Sequence, residues 1–439
     1  MEKKIGNLFK GDKVIWMVFF FLCMISIIEV FSASSNLTYK SQNYMGPIIY
    51  HTVMILVGVV VAVVTLNIPC RYFKLMTPFL LIVTLFTLLW VLVAGESING
   101  ANRVISIMHF TFQPSEIAKG TMVLVTAQIL SAMQRENGAD RNAFKYIMIV
   151  LLPTVALIGI ENLSTAALLC AVIFLMMFIG RIPMSQMGRL LGVMGILVGV
   201  FLTLVITLGS FDGNRTEDTH MTEVVNASGE EEVDKDAIKG GGVFHRFATW
   251  RNRIMKHIGG EEVAPEDFDL DKDMQVAHAN IAIVSSNIIG KGPGNSVERD
   301  YLPQAFSDFI YAIIIEEMGI IGAAVVVFLY VVLLYRAARI ASRCENNFPA
   351  FLILGLTLLL VIQAVFNMMV AVGLAPVTGQ PLPLISKGGT STIINCAYIG
   401  AILSVSRSAK MKVKEVEAKS RKQEVEAKSR KQEVEDKSE

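Results

Sequence analysis

The length of the uncharged runs constrains this chain more than any other feature. A bilayer core about 30 Å thick needs roughly 20 apolar residues of helix at about 1.5 Å each. The sequence offers such runs over 14–33, 46–66, 73–95, 114–133, 146–160, 163–180, 190–209, 308–334, 350–373 and 390–408. With 53% hydrophobic and 18% charged residues among 439, the chain is too apolar for an ordinary soluble domain. The charges are also unevenly placed. Residues 210–306 hold 18 of the 38 acids and 10 of the 39 bases, and 409–439 hold 8 acids and 10 bases, which leaves about one charge in ten elsewhere. The net charge of +1 averages unlike regions and identifies no partner. A soluble enzyme, a secreted disulfide scaffold and a nucleic-acid binder all fit poorly.

The expected fold class is therefore an all-α integral membrane protein with about ten transmembrane helices. The fifth and sixth runs are divided only by Glu161-Asn162, and merging them would invert everything downstream. Basic residues arbitrate. With ten spans and a cytoplasmic N-terminus, Lys10, Arg71, Lys74, Arg135, Arg141, Arg181, Arg336 and Arg407 fall inside, while the short outer loops and the membrane hold only Lys40, Arg103, Lys119 and Lys387. The positive-inside bias thus places both termini in the cytoplasm and the acidic loop at 210–306, between helices 7 and 8, outside. The first run, followed by Ser32-Ala33-Ser34, is long enough and carries Glu29, so it reads as a retained helix rather than a cleaved signal. Cys23, Cys170 and Cys396 fall in spans and Cys70 and Cys344 on the cytoplasmic side, so no outer disulfide is expected.

Two units follow: a polytopic body over 1–408, including the loop at 210–306, and a charged cytoplasmic tail over 409–439. The tail repeats a nine-residue unit, Glu415 to Gln423 and again Glu424 to Gln432. With one valine per unit it buries no core and reads as a solvated segment, open to a partner-binding role.

Charge inside hydrocarbon is costly, so each ionisable group in a span is a candidate site. Gln113-Pro114-Ser115-Glu116 opens the fourth span, with Lys119 on the same face one turn deeper. The pair reads either as a neutralised helix start or as a polar floor beneath a headgroup site. Upstream, Gly100-Ala101-Asn102-Arg103 puts an arginine in a short outer loop, and its donor fork suits a pyrophosphate. Asp308 stands where the outer loop meets the eighth span. It is either a first-turn acid or a partly hydrated, ionised carboxylate suited to general-base work. On a continuous helix Glu316 faces the same cleft as Asp308, whereas Glu317 points away to pair with a neighbouring helix or snorkel. Buried, hydrogen-bonded roles are expected for Glu29 and Glu161. From Gly373 to Ser391, three prolines and four glycines forbid a continuous helix. The segment is either a tight hairpin or a re-entrant wall bringing Lys387 and backbone amides to an anion.

Several of these motifs, in order along residues 14–408, resemble the SEDS proteins, the FtsW/RodA family. They are Gly100 to Arg103, Gln113-Pro114-Ser115-Glu116 with Lys119, the Gly292-x-Gly294-Asn295-Ser296 turn, Tyr301-Leu302-Pro303 before Asp308-Phe309-Ile310, Glu316-Glu317-x-Gly319, and Pro381 to Ser386 with Gly388-Gly389. The Gly-Asn-Ser turn and Tyr-Leu-Pro look more like the division branch than the elongation branch. The resemblance implies a peptidoglycan glycosyltransferase that polymerises lipid II at the outer face of the bacterial inner membrane, at the septum. It implies as partners an FtsI-like class B penicillin-binding protein and other divisome membrane proteins, with no nucleic acid. It also carries the family's essential aspartate onto Asp308. The chain departs from the family pattern at Val104, where a tryptophan is usual, at Glu161 to Thr165, at Gln304 to Ser307 and at Lys387.

On this reading Asp308 is the general base. The substrate-binding set is Arg103, Glu116, Lys119, Arg246, Arg253, Ser296, Ser386, Lys387, Gly388 and Gly389. A divalent cation, magnesium or manganese, would suit leaving-group neutralisation, and no ligand cluster in the sequence marks one. A lipid II flippase, an elongation polymerase or a division scaffold is the alternative.

Overall fold

The computed structural model describes residues 10–33, 46–98, 101–107, 110–136, 138–197, 199–200, 203, 270–302 and 305–409. Arg246, Arg253 and the repetitive tail lie outside the described residues.

The elements in chain order are helices α1 (Lys13–Ala33), α2 (Gly46–Asn67) and α3 (Cys70–Ala94), then strands β1 (Glu96–Ile98), β2 (Ala101–Ile107) and β3 (Phe110–Phe112). Helix α4 (Pro114–Ala132) and a short strand pair, β4 (Gln134–Arg135) and β5 (Gly138–Ala139), precede α5 (Arg141–Glu161) and α6 (Leu163–Ile179). After α7 (184–197) come α8 (Leu270–Ser285), a 3-10 turn at Glu298–Asp300, α9 (Ile310–Ala341), α10 (Asn347–Ala371) and α11 (390–409). Among the described residues, α1, α2, α3, α5, α9 and α10 are long and apolar enough to cross a membrane, and α6 is an apolar helix of 17 residues.

Local chemistry sets the boundaries. Pro114 takes the first position of α4, where its missing N–H costs nothing. Asp140 caps α5 by accepting from the Asn142 amide at 2.9 Å. Asn162 ends α5 by donating its N–H to Ile158 O at 2.7 Å and starts α6 by accepting from the Thr165 amide at 3.2 Å. One residue thus keeps the fifth and sixth helices separate.

Helices α4 and α10 form the centre. Within its most apolar window α10 is 61% buried, against 22% for α3. The peripheral helices turn Leu56, Val60, Phe79, Ile82 and Phe86 outward, each more than half exposed. Such a surface is stable against lipid and unstable in water. The chain is a multi-pass membrane protein.

Two features depart from the sequence reading. Residues 96–98, 101–107 and 110–112 are not simple loop but the three strands of an antiparallel meander, with Ser97 opposite Asn102, Ile105 opposite Phe112 and a bulge between Glu96 and Ser97. Its β-branched and aromatic residues, Val104, Ile105, Ile107, Phe110, Thr111 and Phe112, favour pleated backbone. Arg103 falls on β2, with its side chain outside the described part of the structure. The second departure is in α9, which is broken at Gly319 (φ 68°, ψ −171°) into two helical segments. At the far end of the bundle Asp12 ties α1 to α9. It accepts from Arg336 Nε and Nη2 at 2.9 and 2.7 Å and caps Val14 and Ile15 with its other oxygen.

Candidate active site

Asp308 lies in a turn just before α9, whose cap residue is Phe309. It is neither the cap nor part of the helix, so the helical spacing that linked it to Glu316 does not apply. Its side chain is partly exposed and accepts from Ser307 Oγ at 3.0 Å. Its backbone carbonyl accepts from Asn367 Nδ2 of α10 at 2.8 Å. The same Nδ2, which carries two hydrogens, also donates to Gln380 O at 2.7 Å. One turn earlier on that face, Gln363 Nε2 donates to Pro381 O at 3.1 Å. Two carboxamides at i and i+4 therefore hold consecutive carbonyls of the proline-rich segment and the backbone of the aspartate together.

That segment is a wall packed in protein. Leu382, Leu384 and Ile385 are buried. Ser26 Oγ donates to Ile385 O at 2.6 Å, which commits its only hydrogen, so His51 Nε2, 2.8 Å away, is the donor of that pair. Tyr330 OH donates to Pro383 O, and Gln380 Nε2 donates to Thr165 Oγ1 at 2.8 Å. On the Asp308 side, Ser386 Oγ donates to Ser307 O at 2.6 Å and Lys387 N donates to Phe306 O at 3.0 Å. Gly379, at φ 68°, brings backbone so near that an added Cβ would sit 3.5 Å from Asp308 Oδ2. Lys387 Nζ lies 4.8 Å from the centre of the Phe306 ring, a cation–π contact that holds the ammonium beside the mouth. Gly388 and Gly389, both half-buried, lead from it into α11.

Glu116 and Lys119 reach the same segment from below. Lys119, fully buried, bonds Glu116 Oε1 at 2.8 Å and Gln363 Oε1 at 2.7 Å. Gly120 leaves room for the Tyr398 ring, which a Cβ would meet at 2.4 Å, and Tyr398 OH in turn bonds the Glu116 carbonyl. Four buried oxygens in this region, Glu116 Oε2, Asn367 Oδ1, Thr378 Oγ1 and Gln380 Oε1, have no hydrogen-bond partner among the described residues. No three His, Cys, Asp or Glu side chains converge among the described residues, and a cation shared between one carboxylate and a substrate phosphate needs no such cluster.

Glu316 does not face this cleft. Fully buried, it accepts from Lys291 Nζ at 2.6 Å, from Ser296 Oγ, and from the Val297 and Glu298 amides at 3.1 and 3.4 Å. Glu317 neither snorkels nor merely pairs with a helix. It accepts from the Gly294 and Ser296 amides at 3.0 and 3.2 Å and from Ser32 Oγ of α1. The break at Gly319 makes this possible. Gly290 and Gly319 lie back to back, and a Cβ on either would fall 2.3 Å from a carbonyl of the facing segment, Glu317 O or Ile288 O. Ser296 thus belongs to a knot of loop, α9 and α1. Glu29, also fully buried, has neither carboxylate oxygen bonded among the described residues.

The structure therefore brings Asp308, Ser386, Lys387, Gly388 and Gly389 together, joins Glu116 and Lys119 to them through Gln363, and places Ser296 elsewhere. Sequence reasoning missed Gln363, Asn367, Gln380 and the Ser26–His51 pair. The available signal was a pair of carboxamides one turn apart in an otherwise apolar helix.

The family model described as "Cell cycle protein" (FTSW_RODA_SPOVE) matches residues 12–226 and 241–411. The chain belongs to the FtsW/RodA family. Among curated relatives it is 26% identical over 407 residues to the peptidoglycan glycosyltransferase MrdB of Escherichia coli K12, covering 92% of this chain and 96% of that one. It is 30% identical over 401 residues to the probable peptidoglycan glycosyltransferase FtsW of Hahella chejuensis, covering 88% of each. Among solved structures, a chain from a peptidoglycan synthase complex that coordinates polymerization and crosslinking superposes with a TM-score of 0.62 at 21% identity, covering 91% of this FtsW/RodA member and 98% of that chain. Thermus thermophilus RodA gives 0.59 at 21% identity, with coverage of 92% and 99%. These two likenesses establish the shared fold.

Proposed function

We propose that this peptidoglycan glycosyltransferase polymerises lipid II at the outer face of the bacterial inner membrane during division, with Asp308 as general base. The observation that carries the reading is the mounting of Asp308. Its carboxylate is partly exposed, its backbone is gripped by Asn367, and the Lys387 ammonium is held over the ring of Phe306, two residues before it. In the step, Asp308 takes the proton of the acceptor sugar 4-hydroxyl as that oxygen bonds the donor's anomeric carbon. The bond from that carbon to the lipid pyrophosphate breaks, and the pyrophosphate leaves with the electron pair. Attack opposite the leaving group inverts the centre.

The leaving group needs cations. Lys119 is compensated inside the bundle by Glu116, so Lys387 and Arg103 are the residues for this work, with Arg246 and Arg253 of the outer loop behind them. A divalent cation arriving with the pyrophosphate would share that work. The basic bias of the short loops supports cytoplasmic termini, a catalytic body over 1–408 and a separate tail over 409–439. The likeness to a chain from a synthase complex supports a class B penicillin-binding protein as partner, and the glycine-rich turn supports the septum as location.

The test is polymerisation of labelled lipid II in detergent, with and without a cognate penicillin-binding protein. In detergent there are no compartments between which a flippase could act. Wild type is expected to build glycan strands and Asp308→Asn to build none. Strands made by Asp308→Asn at the wild-type rate would refute the base assignment, and no strands from wild type with its partner would refute the polymerase reading.

A further inference from the structure

On the loop that precedes Asp308, one aromatic ring stands out of the protein on a rigid mount. Tyr301 is 58% exposed. His278 of α8 covers one of its faces, with ring centroids 5.3 Å apart and planes 12° from parallel. His278 Nδ1 bonds Glu298 Oε2 at 2.6 Å, which fixes the imidazole. The Tyr301 and Leu302 amides both donate to Glu298 O, at 3.1 and 2.9 Å. Below them, buried Glu316 holds the turn through the Val297 and Glu298 amides. Ring, imidazole and carboxylate thus form one unit with little conformational freedom left to lose on binding.

Three parts of this unit are uncommitted among the described residues: the outer face of Tyr301, Glu298 Oε1 and His278 Nε2. The unit also borders the candidate active site. Helix α8 packs on α9, and its Asn280 Oδ1 lies 3.8 Å from where a Cβ on Gly373 would sit, at the start of the wall beside Asp308.

An electron-rich ring face, exposed on one side and backed by a fixed imidazole on the other, is complementary to a pyranose. The axial C–H bonds of a β-linked sugar present an apolar, electropositive face to the ring. Hydroxyls and acetamido groups at the sugar's rim stay hydrated around a ring that is more than half exposed. A phosphate fits badly, because Glu298 and the half-exposed Asp300 repel it while Arg299 turns inward to Ser32 Oγ and Gly294 O. A lipid chain also fits badly, because the same carboxylates would lose their water.

We propose that Tyr301, with His278 and Glu298, forms a subsite for N-acetylhexosamine rings of the growing glycan, holding the strand beyond the bond being made. The subsite rests on the polymerase reading for its biological ligand, but its binding is measurable without catalysis.

The probe is a soluble β-1,4-linked N-acetylhexosamine hexamer, titrated against the full chain in detergent by calorimetry. Wild type, Tyr301→Phe and Asp308→Asn are expected to bind it alike. Tyr301→Ala and Tyr301→Leu, the second keeping apolar bulk without a ring, are expected to bind about tenfold more weakly. In the polymerisation assay the two ring-less variants should make shorter strands while still joining the first pair of substrates. Equal binding by wild type and Tyr301→Leu, or no binding by wild type, overturns the subsite. Normal polymerisation by Asp308→Asn together with ring-dependent hexamer binding overturns the base assignment and leaves the subsite standing.

Discussion

Asn367→Asp changes almost no volume and removes the two donors that join Asp308 to its wall. In the native protein a single Nδ2 serves Asp308 O at 2.8 Å and Gln380 O at 2.7 Å, at a residue only 1% exposed. An ionised carboxylate there would face two carbonyl oxygens with no donor, and a protonated one would offer a single hydrogen to two acceptors. At least one buried carbonyl is left unsatisfied, at about 1–3 kcal/mol. The more informative loss is positional. With the grip gone, the aspartate backbone and the wall are free to separate, and a displacement of about 1 Å at a reacting group costs on the order of a hundredfold in rate. The assay pairs thermal unfolding in detergent with steady-state polymerisation of lipid II. The expected variant is folded, a few degrees less stable, and reduced in kcat by at least tenfold with a smaller change in KM. A variant that turns over at the wild-type rate would refute the argument that Asn367 positions Asp308, and an unchanged melting temperature would refute the hydrogen-bond reasoning beneath it.

Lys119→Met strands the Glu116 carboxylate in the core and should cost about 3–5 kcal/mol, read as a fall in melting temperature that Glu116→Gln partly restores. An unshifted transition would show that the pair is hydrated rather than buried. Asp12 supplies a pH dependence. Burial raises its carboxyl, but the Arg336 hydrogen bonds and charge and the Val14 and Ile15 amides outweigh this and hold it below the ordinary value. Its contribution is therefore complete above the unfolded value and lost as pH falls through the lowered folded one. Asp12→Asn should destabilise the protein by about 1.5–3 kcal/mol at neutral pH, and the gap to wild type should close under strong acid. A gap that is constant with pH would contradict the ionic account.

Much of this architecture is visible in the residues because bilayer thickness translates directly into run length. The helices and the separation of α5 from α6 at Asn162 follow from that and from capping chemistry. The candidate base was legible for another reason: a carboxylate at a loop–helix junction stands out in a body so poor in charge. Glu316 was misread because helical spacing holds only within one helix, and Asp308 lies in the turn before α9, whose cap is Phe309. The meander escaped because strands of three and seven residues leave too short a pattern. Asn367 escaped because its spacing from Gln363 puts two carboxamides on one face without saying which carbonyls they will meet.

The glycine-rich turn at 290–298 has the composition of an anion cradle, with backbone amides gathered around one point. In this fold the amides of Gly294, Ser296, Val297 and Glu298 already point at carboxylate oxygens of Glu316 and Glu317. The chain carries its own anions as permanent tenants of that cradle. An incoming anion finds these four amides already taken. The segment leading to the base is thereby fastened by the same chemistry that elsewhere captures nucleotides, used here to hold the protein to itself.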